Sequence, residues 1–193
     1  MVFKTIYPLI LGSTSPRRKE ILSLLGLNFS IQAPSCDETY KAENFLDPFQ
    51  ITAYLAEKKA LSISAAPDHL VLGVDTLVYL DGKILGKPQD KSEALSYLKL
   101  LNNRVHIVAS GVALCQGGTL LASGHELTQV QFGNWSLEVL STYAQTTEPL
   151  DKAGAYAIQG QGAFLTERIN GCFYNIMGLP LAKTLAMLKP FLN

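Results

Sequence analysis

Leu70-Val71-Leu72-Gly73-Val74 is apolar at every position. A strand with one wet face alternates apolar and polar residues. An unbroken apolar run is the pattern of a strand buried on both faces, with helices covering the sheet on either side. Asp75-Thr76 follows at once, before apolar character resumes at Leu77-Val78-Tyr79-Leu80. The run therefore predicts a buried strand with Asp75 at its end. A lone charge in such a segment is costly unless it is paired, protonated or bound to a metal. Asp75 is read as functional on that ground.

Leu9-Ile10-Leu11-Gly12 begins a second such element, a buried strand leading through Ser13-Thr14-Ser15 into Pro16-Arg17-Arg18-Lys19-Glu20-Ile21-Leu22. Proline is preset for the first helical position, so Pro16 marks the helix start and Ser15 its N-cap. Arg17, Arg18 and Lys19 then occupy the first turn, where the helix dipole favours acids. Two hydroxyls, free N–H groups and three cations form a site for a multiply charged anion, most simply a phosphate chain. The plainer reading is a solvated basic turn.

The remaining pattern alternates strands and helices. Helix signals cover Pro16 to about Leu25, closed by Gly26, and Pro48 to about Ser64. Further helices run from Asp90, with Glu93 in the capping-box position, to Leu101, from Trp135 to Ala144, and from Pro180 onward. Phe29, Ile31 and Ala33 alternate with polar residues as a half-buried strand ending at Pro34. Asp81-Gly82 is a two-residue hairpin turn between Tyr79-Leu80 and Lys83-Ile84-Leu85. Val105 to Cys115 and a strand reaching Phe132 form a long hairpin about Gly117-Gly118, and Ala163 to Arg168 is a last short strand. The expected fold is α/β, one domain over residues 1–193, with mixed strand pairing.

Lys+Arg and Asp+Glu both total 16, so the net charge is zero. A nucleic-acid binder shows a basic excess or stripe, which disfavours DNA or RNA as partner. The three cysteines, Cys36, Cys115 and Cys172, contain no C-x-x-C pair, which fits packed or idle thiols in a reducing cytoplasm. No apolar run approaches the roughly 18 residues of a membrane span, and no signal peptide is read.

Asp37-Glu38 follows the second strand, either in a cleft or in a solvated loop. Lys58 and Lys59 lie in mid-helix, and each faces either a cleft or water. Lys87, in Gly86-Lys87-Pro88, has the same two readings. Together these groups suggest metal-assisted attack on a phosphoanhydride. Glu38 and Asp75 are candidate ligands of a divalent cation, Mg²⁺ or Mn²⁺, with Asp75 also orienting or deprotonating water. Arg17, Arg18, Lys58 and Lys87 are candidates to neutralise phosphate charge. The loop Glu148 to Gly162, rich in glycine and alanine, is neither a Walker A nor a Rossmann motif.

Ser13-x-Ser15-Pro16-Arg17-Arg18 with Ile21-Leu22 resembles the signature of the Maf family of nucleoside triphosphate pyrophosphatases. Asp37-Glu38, Leu55-Ala56-Glu57-Lys58-Lys59-Ala60, Gly73-Val74-Asp75-Thr76, Leu85-Gly86-Lys87-Pro88, Asp151-Lys152-Ala153-Gly154-Ala155-Tyr156-x-Ile158-Gln159-Gly160 and Leu179-Pro180-Leu181 follow in the family's order. The resemblance implies an elongated fold with a twisted mixed sheet and two lobes around a central cleft, similar to the inosine triphosphatase group. It implies hydrolysis of nucleoside triphosphates to monophosphate and pyrophosphate with a divalent metal, in a cytoplasmic protein that is often a homodimer.

Under that resemblance Asp75 is the proton acceptor, Glu38 a metal-side carboxylate, and Ser13, Ser15, Arg17, Arg18, Lys58 and Lys87 line the phosphate channel. Asp75-Thr76 and Gln159 match the branch acting on dTTP and UTP, with Arg17, Thr76 and Gln159 at base-selecting positions. The branch acting on 7-methyl-GTP typically carries Asp-Gln instead. The family is also linked to inhibition of septum formation, so a nucleotide-sensing regulator without turnover is the reading from another class. Asn102-Asn103 and Cys172 depart from the family pattern, where Ser-Gly and Ser are frequent.

Overall fold

The computed structural model describes residues 3–193. Seven strands form one mixed sheet: β1 (Leu9–Gly12), β2 (Phe29–Ile31), β3 (Leu70–Leu80), β4 (Lys83–Leu85), β5 (Val105–Gln116), β6 (Thr119–Phe132) and β7 (Thr166–Asn170). Their order is β2-β1-β3-β5-β6-β7, with β4 paired to β3. β1 runs parallel to β2 and β3, β4 is antiparallel to β3, and β7 is antiparallel to β6. Six helices accompany them: α1 (Pro16–Ser23), α2 (Gln50–Leu61), α3 (Lys91–Leu101), α4 (Leu137–Ala144), α5 (Phe173–Ile176) and α6 (Leu181–Leu188).

The chain divides into two compact units. The first holds residues 1–75, 110–126 and 178–193; the second holds 76–109 and 127–177. Strands β3, β5 and β6 each pass from one into the other. The first unit's core includes Ile10, Val71, Ala113, Ala56 and Ala60. The second unit's core includes Leu98, Leu101, Val130, Phe132 and Leu165.

Local signals account for several of these boundaries. Gly26 terminates the first helical segment at φ 66°, and Asp81 and Gly82 turn the β3–β4 hairpin at φ 47° and 77°. Asp90 caps α3 by accepting the Glu93 N–H at 2.8 Å. Every residue of β1 is buried, as is β3 apart from the half-buried Thr76 and Leu77.

Elsewhere the tertiary structure departs from the expected pattern. β3 does not stop at Asp75 but continues to Leu80, so Asp75 lies within a strand. β2 covers only three residues and is an edge strand, which leaves Ile31 and Ala33 exposed where alternation predicted burial. α2 begins at Gln50, because Pro48 and Phe49 form a turn held by Asp47, whose carboxylate accepts the Phe49 N–H and whose carbonyl accepts the Gln50 N–H. Leu24, expected on the apolar face of α1, is 61% exposed. Gln161–Leu165 forms a 3-10 turn, so the last strand begins only at Thr166. α5 carried no sequence signal that was read.

Candidate active site

Two glycines bring α2 onto the sheet. A Cβ on Gly73 would stand 2.1 Å from the Ala56 carbonyl oxygen, and one on Gly111 would stand 2.1 Å from that of Thr52. Only a residue without a side chain permits that approach. Side chains alternate along a strand, so Asp75 shares Gly73's face of β3 and looks towards α2. Lys59, beside Ala60 on α2, reaches it: its ammonium donates to Asp75 Oδ1 at 2.5 Å. The same ammonium stands 2.8 Å from Glu38 Oε2. Asp75 and Lys59 are buried, with side chains 8% and 9% exposed, while Glu38 is 57% exposed.

The register Gly12↔Gly73 sets the end of β1 level with this part of β3, so the turn after β1 starts beside it. Ser13 is buried there, and its hydroxyl oxygen accepts from Arg18 Nη1 at 3.0 Å and from the Ser15 N–H at 3.3 Å. Arg18 Nε donates to the Gly178 carbonyl at 2.9 Å, which fixes the guanidinium from its other side. Ser15 is the N-cap residue by position, but its side chain makes no capping bond. Its role in the turn runs through its backbone. Arg17 is half-buried beside Arg18 and contributes to its electrostatics.

Burial raises the pKa of Asp75 above the ordinary carboxylate value, against the opposing charges of Lys59 and Arg18 and with help from Glu38. Burial likewise lowers that of Arg18, with Asp75 pulling the other way. Asp75 Oδ2 is buried and has no hydrogen-bond partner among the described residues. Such an oxygen is expensive to leave unmatched, and it is the group in this cluster open to a further donor or cation.

Glu38 and Asp37 separate cleanly. The Asp37 carboxylate turns back on its own loop, accepting the N–H and the hydroxyl of Thr39, which hold its pKa below the ordinary value. Glu38 is the member of the pair that meets Lys59. Lys58 lies on the Asp37 side, where its charge helps to lower the Asp37 pKa. Its ammonium donates to the Thr39 carbonyl at 3.3 Å and stands 5.6 Å from the centre of the Tyr54 ring.

Lys59 is the residue that sequence reasoning did not select, and helical spacing could not have chosen it: Thr52-Ala56-Lys59 and Ile51-Leu55-Lys58 are both i, i+4, i+7 rows of α2 that begin on buried residues.

Thr76, Lys87 and Gln159 belong to the second unit. Thr76 is half-buried on β3, one residue beyond Asp75 and so on the opposite face of the strand. Lys87 is exposed; the segment carrying it is tied down where the Gly154 N–H donates to the Gly86 carbonyl at 3.0 Å. Gln159 is exposed in a turn closed by the Gly160 N–H on the Ala157 carbonyl.

The class so defined is a mixed α/β protein with two carboxylates and two cations gathered beside a hydroxyl-rich strand-to-helix turn. The profile described as "Maf-like protein" matches residues 8–191, and the chain belongs to this family. Curated relatives named dTTP/UTP pyrophosphatase include those of Symbiobacterium thermophilum, 45% identical over 95% of this chain and 93% of the relative, and Bacillus pumilus, 43% identical over 95% and 96%. The Bacillus velezensis relative of the same name is 45% identical over 95% and 96%. A solved structure of a HAM1 protein from Coxiella burnetii superposes with a TM-score of 0.44 at 16% identity, over 66% of this chain and 73% of that one.

Proposed function

We propose that this chain hydrolyses nucleoside triphosphates, dTTP and UTP in particular, to nucleoside monophosphate and pyrophosphate. The observation that carries the reading is Asp75: a buried carboxylate with one oxygen held by Lys59 and the other unpartnered. The names of relatives 43–45% identical over 95% of the chain supply the substrate class. The family match over residues 8–191 supports treating residues 1–193 as one domain.

In this mechanism a water attacks the α-phosphorus, the bond from that phosphorus to the bridging oxygen breaks, and pyrophosphate leaves with the bond's electrons. Asp75 Oδ2 accepts the water's proton. A pKa raised by burial makes the carboxylate a better base, while the Lys59 hydrogen bond at Oδ1 favours its ionised form. Arg18, oriented by Ser13 and Gly178, and Arg17 balance phosphate charge as it moves onto the leaving group. Lys87, Lys58 and Ser15 complete the phosphate-binding set in this reading, with Thr76 and Gln159 reading the base. An amide donates and accepts together, which suits the O4 and N3–H edge of a pyrimidine.

A divalent cation, Mg²⁺ or Mn²⁺, fits the donors present. Asp75 Oδ2 is a hard oxygen without a partner and Glu38 offers an exposed carboxylate nearby, and Mg²⁺ takes one or two carboxylates plus phosphate and water. When bound it would supply Lewis-acid stabilisation of the phosphate oxygens. The reading extends to a cytoplasmic homodimer. Free Cys36, Cys115 and Cys172 accord with a reducing compartment, and no described helix is long and apolar enough to cross a membrane.

Pyrophosphate release from dTTP, UTP, CTP and 7-methyl-GTP, with and without Mg²⁺, tests this directly. Turnover of dTTP and UTP that falls about 10²–10⁴-fold in Asp75→Asn is the expected result, the usual range for loss of a general base. Preference for 7-methyl-GTP would overturn the base assignment. Tight nucleotide binding without turnover of any triphosphate would replace the enzyme by a nucleotide sensor.

A further inference from the structure

Glu148 opens the loop that runs to Gly162, and its carboxylate accepts three hydrogen bonds. Oε1 accepts the Gln161 N–H at 2.9 Å, and Oε2 accepts the Gly162 N–H at 2.9 Å and the Tyr143 hydroxyl at 2.7 Å. The Tyr143 oxygen in turn accepts the Ala157 N–H at 3.2 Å. Gln159 lies between these anchors, with Ala157 held on one side and Gln161 and Gly162 on the other. The loop is pressed against the acid: a Cβ on Gly160 would stand 2.0 Å from Glu148 Oε1, and one on Gly162 would stand 2.4 Å from the Tyr143 hydroxyl oxygen.

We propose that Glu148 is a positioning residue for base selection, its carboxylate setting the conformation of the turn that presents Gln159. The proposal rests on the reading above in which Gln159 meets the base. Its chemical content is that the node requires a carboxylate. All three groups facing Glu148 are donors, and a carboxylate is an acceptor at both oxygens. Glutamine has the same shape, but its NH₂ must then face either the Gln161 N–H or the pair formed by Gly162 and Tyr143. A donor set against a donor opens the turn on that side.

Electrostatics agree with an ionised acid. Burial acts to raise the Glu148 pKa, but the Tyr143 hydroxyl, the Gly162 and Gln161 N–H groups and the Lys152 charge outweigh it and hold it below the ordinary value. Lys152 lies against the same segment, its ammonium donating to the Glu148 carbonyl at 2.9 Å. Tyr143 is pushed strongly upward, chiefly by burial and then by Glu148, so its hydroxyl keeps the proton it donates.

The test is the ratio of kcat/KM for UTP over CTP in wild type, Glu148→Gln, Tyr143→Phe and Gln159→Ala. These bases differ at the edge an amide reads, and the ratio does not depend on how much enzyme is folded. A loss of general stability therefore leaves it unmoved. Glu148→Gln is expected to reduce the ratio about tenfold, mostly through KM for UTP, the scale of one misplaced hydrogen bond. Tyr143→Phe keeps the ring and removes the hydroxyl; a smaller drop of about threefold is expected. An unchanged ratio in folded Glu148→Gln overturns the proposal. Should that variant fail to fold, Tyr143→Phe decides by the same criterion. Gln159→Ala separates the two levels: if it leaves the ratio intact, the base-reading role of Gln159 fails, and the proposal with it. If it abolishes the ratio while Glu148→Gln does not, only the proposal fails.

Discussion

Each unit of this protein has one carboxylate at the centre of a polar cluster, and the two are finished differently. Glu148, in the second unit, accepts from three donors and keeps a pKa below the ordinary value. Asp75, in the first, accepts from Lys59 at one oxygen, has no partner at the other, and is pushed upward by burial. An acid whose two oxygens both accept from donors of its own chain serves to hold backbone in place. An acid with a buried spare oxygen retains capacity that water, a cation or a proton can use. That distinction, not burial alone, separates a structural carboxylate from a chemical one.

The comparison breaks most sharply at the lysine. Lys59→Met removes the donor that holds Asp75 Oδ1 and should cost about 3–5 kcal/mol, the usual penalty for orphaning a buried charge. Lys58→Met, one residue away, removes an exposed contact to a carbonyl and should cost under about 1 kcal/mol in denaturant unfolding. If the two variants cost the same, the assignment of Lys59 to the cluster is wrong. In the folded fraction, the acid limb of the pH–rate profile should lie above the ordinary carboxylate range in wild type and move further up in Lys59→Met.

A second test uses a buried histidine of the second unit. His106 is 1% exposed, its Nε2 lies 2.8 Å from the Tyr156 hydroxyl oxygen, and burial lowers its pKa from 6.5 to about 3. The unfolded chain therefore binds the extra proton at pH values where the folded chain does not. Stability from the neutral imidazole is present above pH 6.5 and is lost as pH falls towards 3. That amounts to about 2 kcal/mol between pH 7 and pH 5. Urea unfolding of wild type and His106→Gln across this range checks it, since the variant should lose the corresponding slope. A slope equal in both would mean that other groups carry the acid sensitivity.

The smallest expected difference concerns helix starts. Asp90→Ala removes a cap that accepts the Glu93 N–H at 2.8 Å and should cost about 1 kcal/mol. Ser15→Ala removes a hydroxyl that makes no cap bond, and thermal unfolding should shift by less than about 0.5 kcal/mol. A larger loss at Ser15 would mean that its hydroxyl works in the turn after all. Ser13, whose hydroxyl accepts from Arg18, is the side chain that organises this turn.

Much of the fold was legible because its signals are short-range. Gly26, Asp81-Gly82 and Asp90 act through their own φ values and nearest N–H groups. The double-sided burial of β1 and β3 was written as unbroken apolar runs. Ile31 and Leu24 misled because neither alternation nor helical spacing says whether a neighbour exists to cover a given face. In the candidate site, Ser13, Arg18, Glu38 and Asp75 were singled out by residue type and spacing; in the structure Asp75 and Glu38 meet one buried lysine, and Arg18, bonded to Ser13, interacts electrostatically with both carboxylates. Helical phase does not separate Lys59 from Lys58, since each ends an i, i+4, i+7 row that begins on a buried residue. Glu148 had no signal either, since its partners lie 5, 13 and 14 residues away along irregular chain.

By itself, then, the sequence determined the α/β class, the Asp81-Gly82 hairpin, the Asp90 cap and the set of charged residues proposed here to bind phosphate. These depend on local conformational preference and on the cost of placing charge among apolar residues. Tertiary structure alone decided that Gly73 and Gly111 admit α2, that Lys59 is the lysine meeting Asp75, and which carboxylate oxygen was left without a partner. Those outcomes turn on distances of a few ångströms between residues far apart in the chain, and such distances follow only from packing.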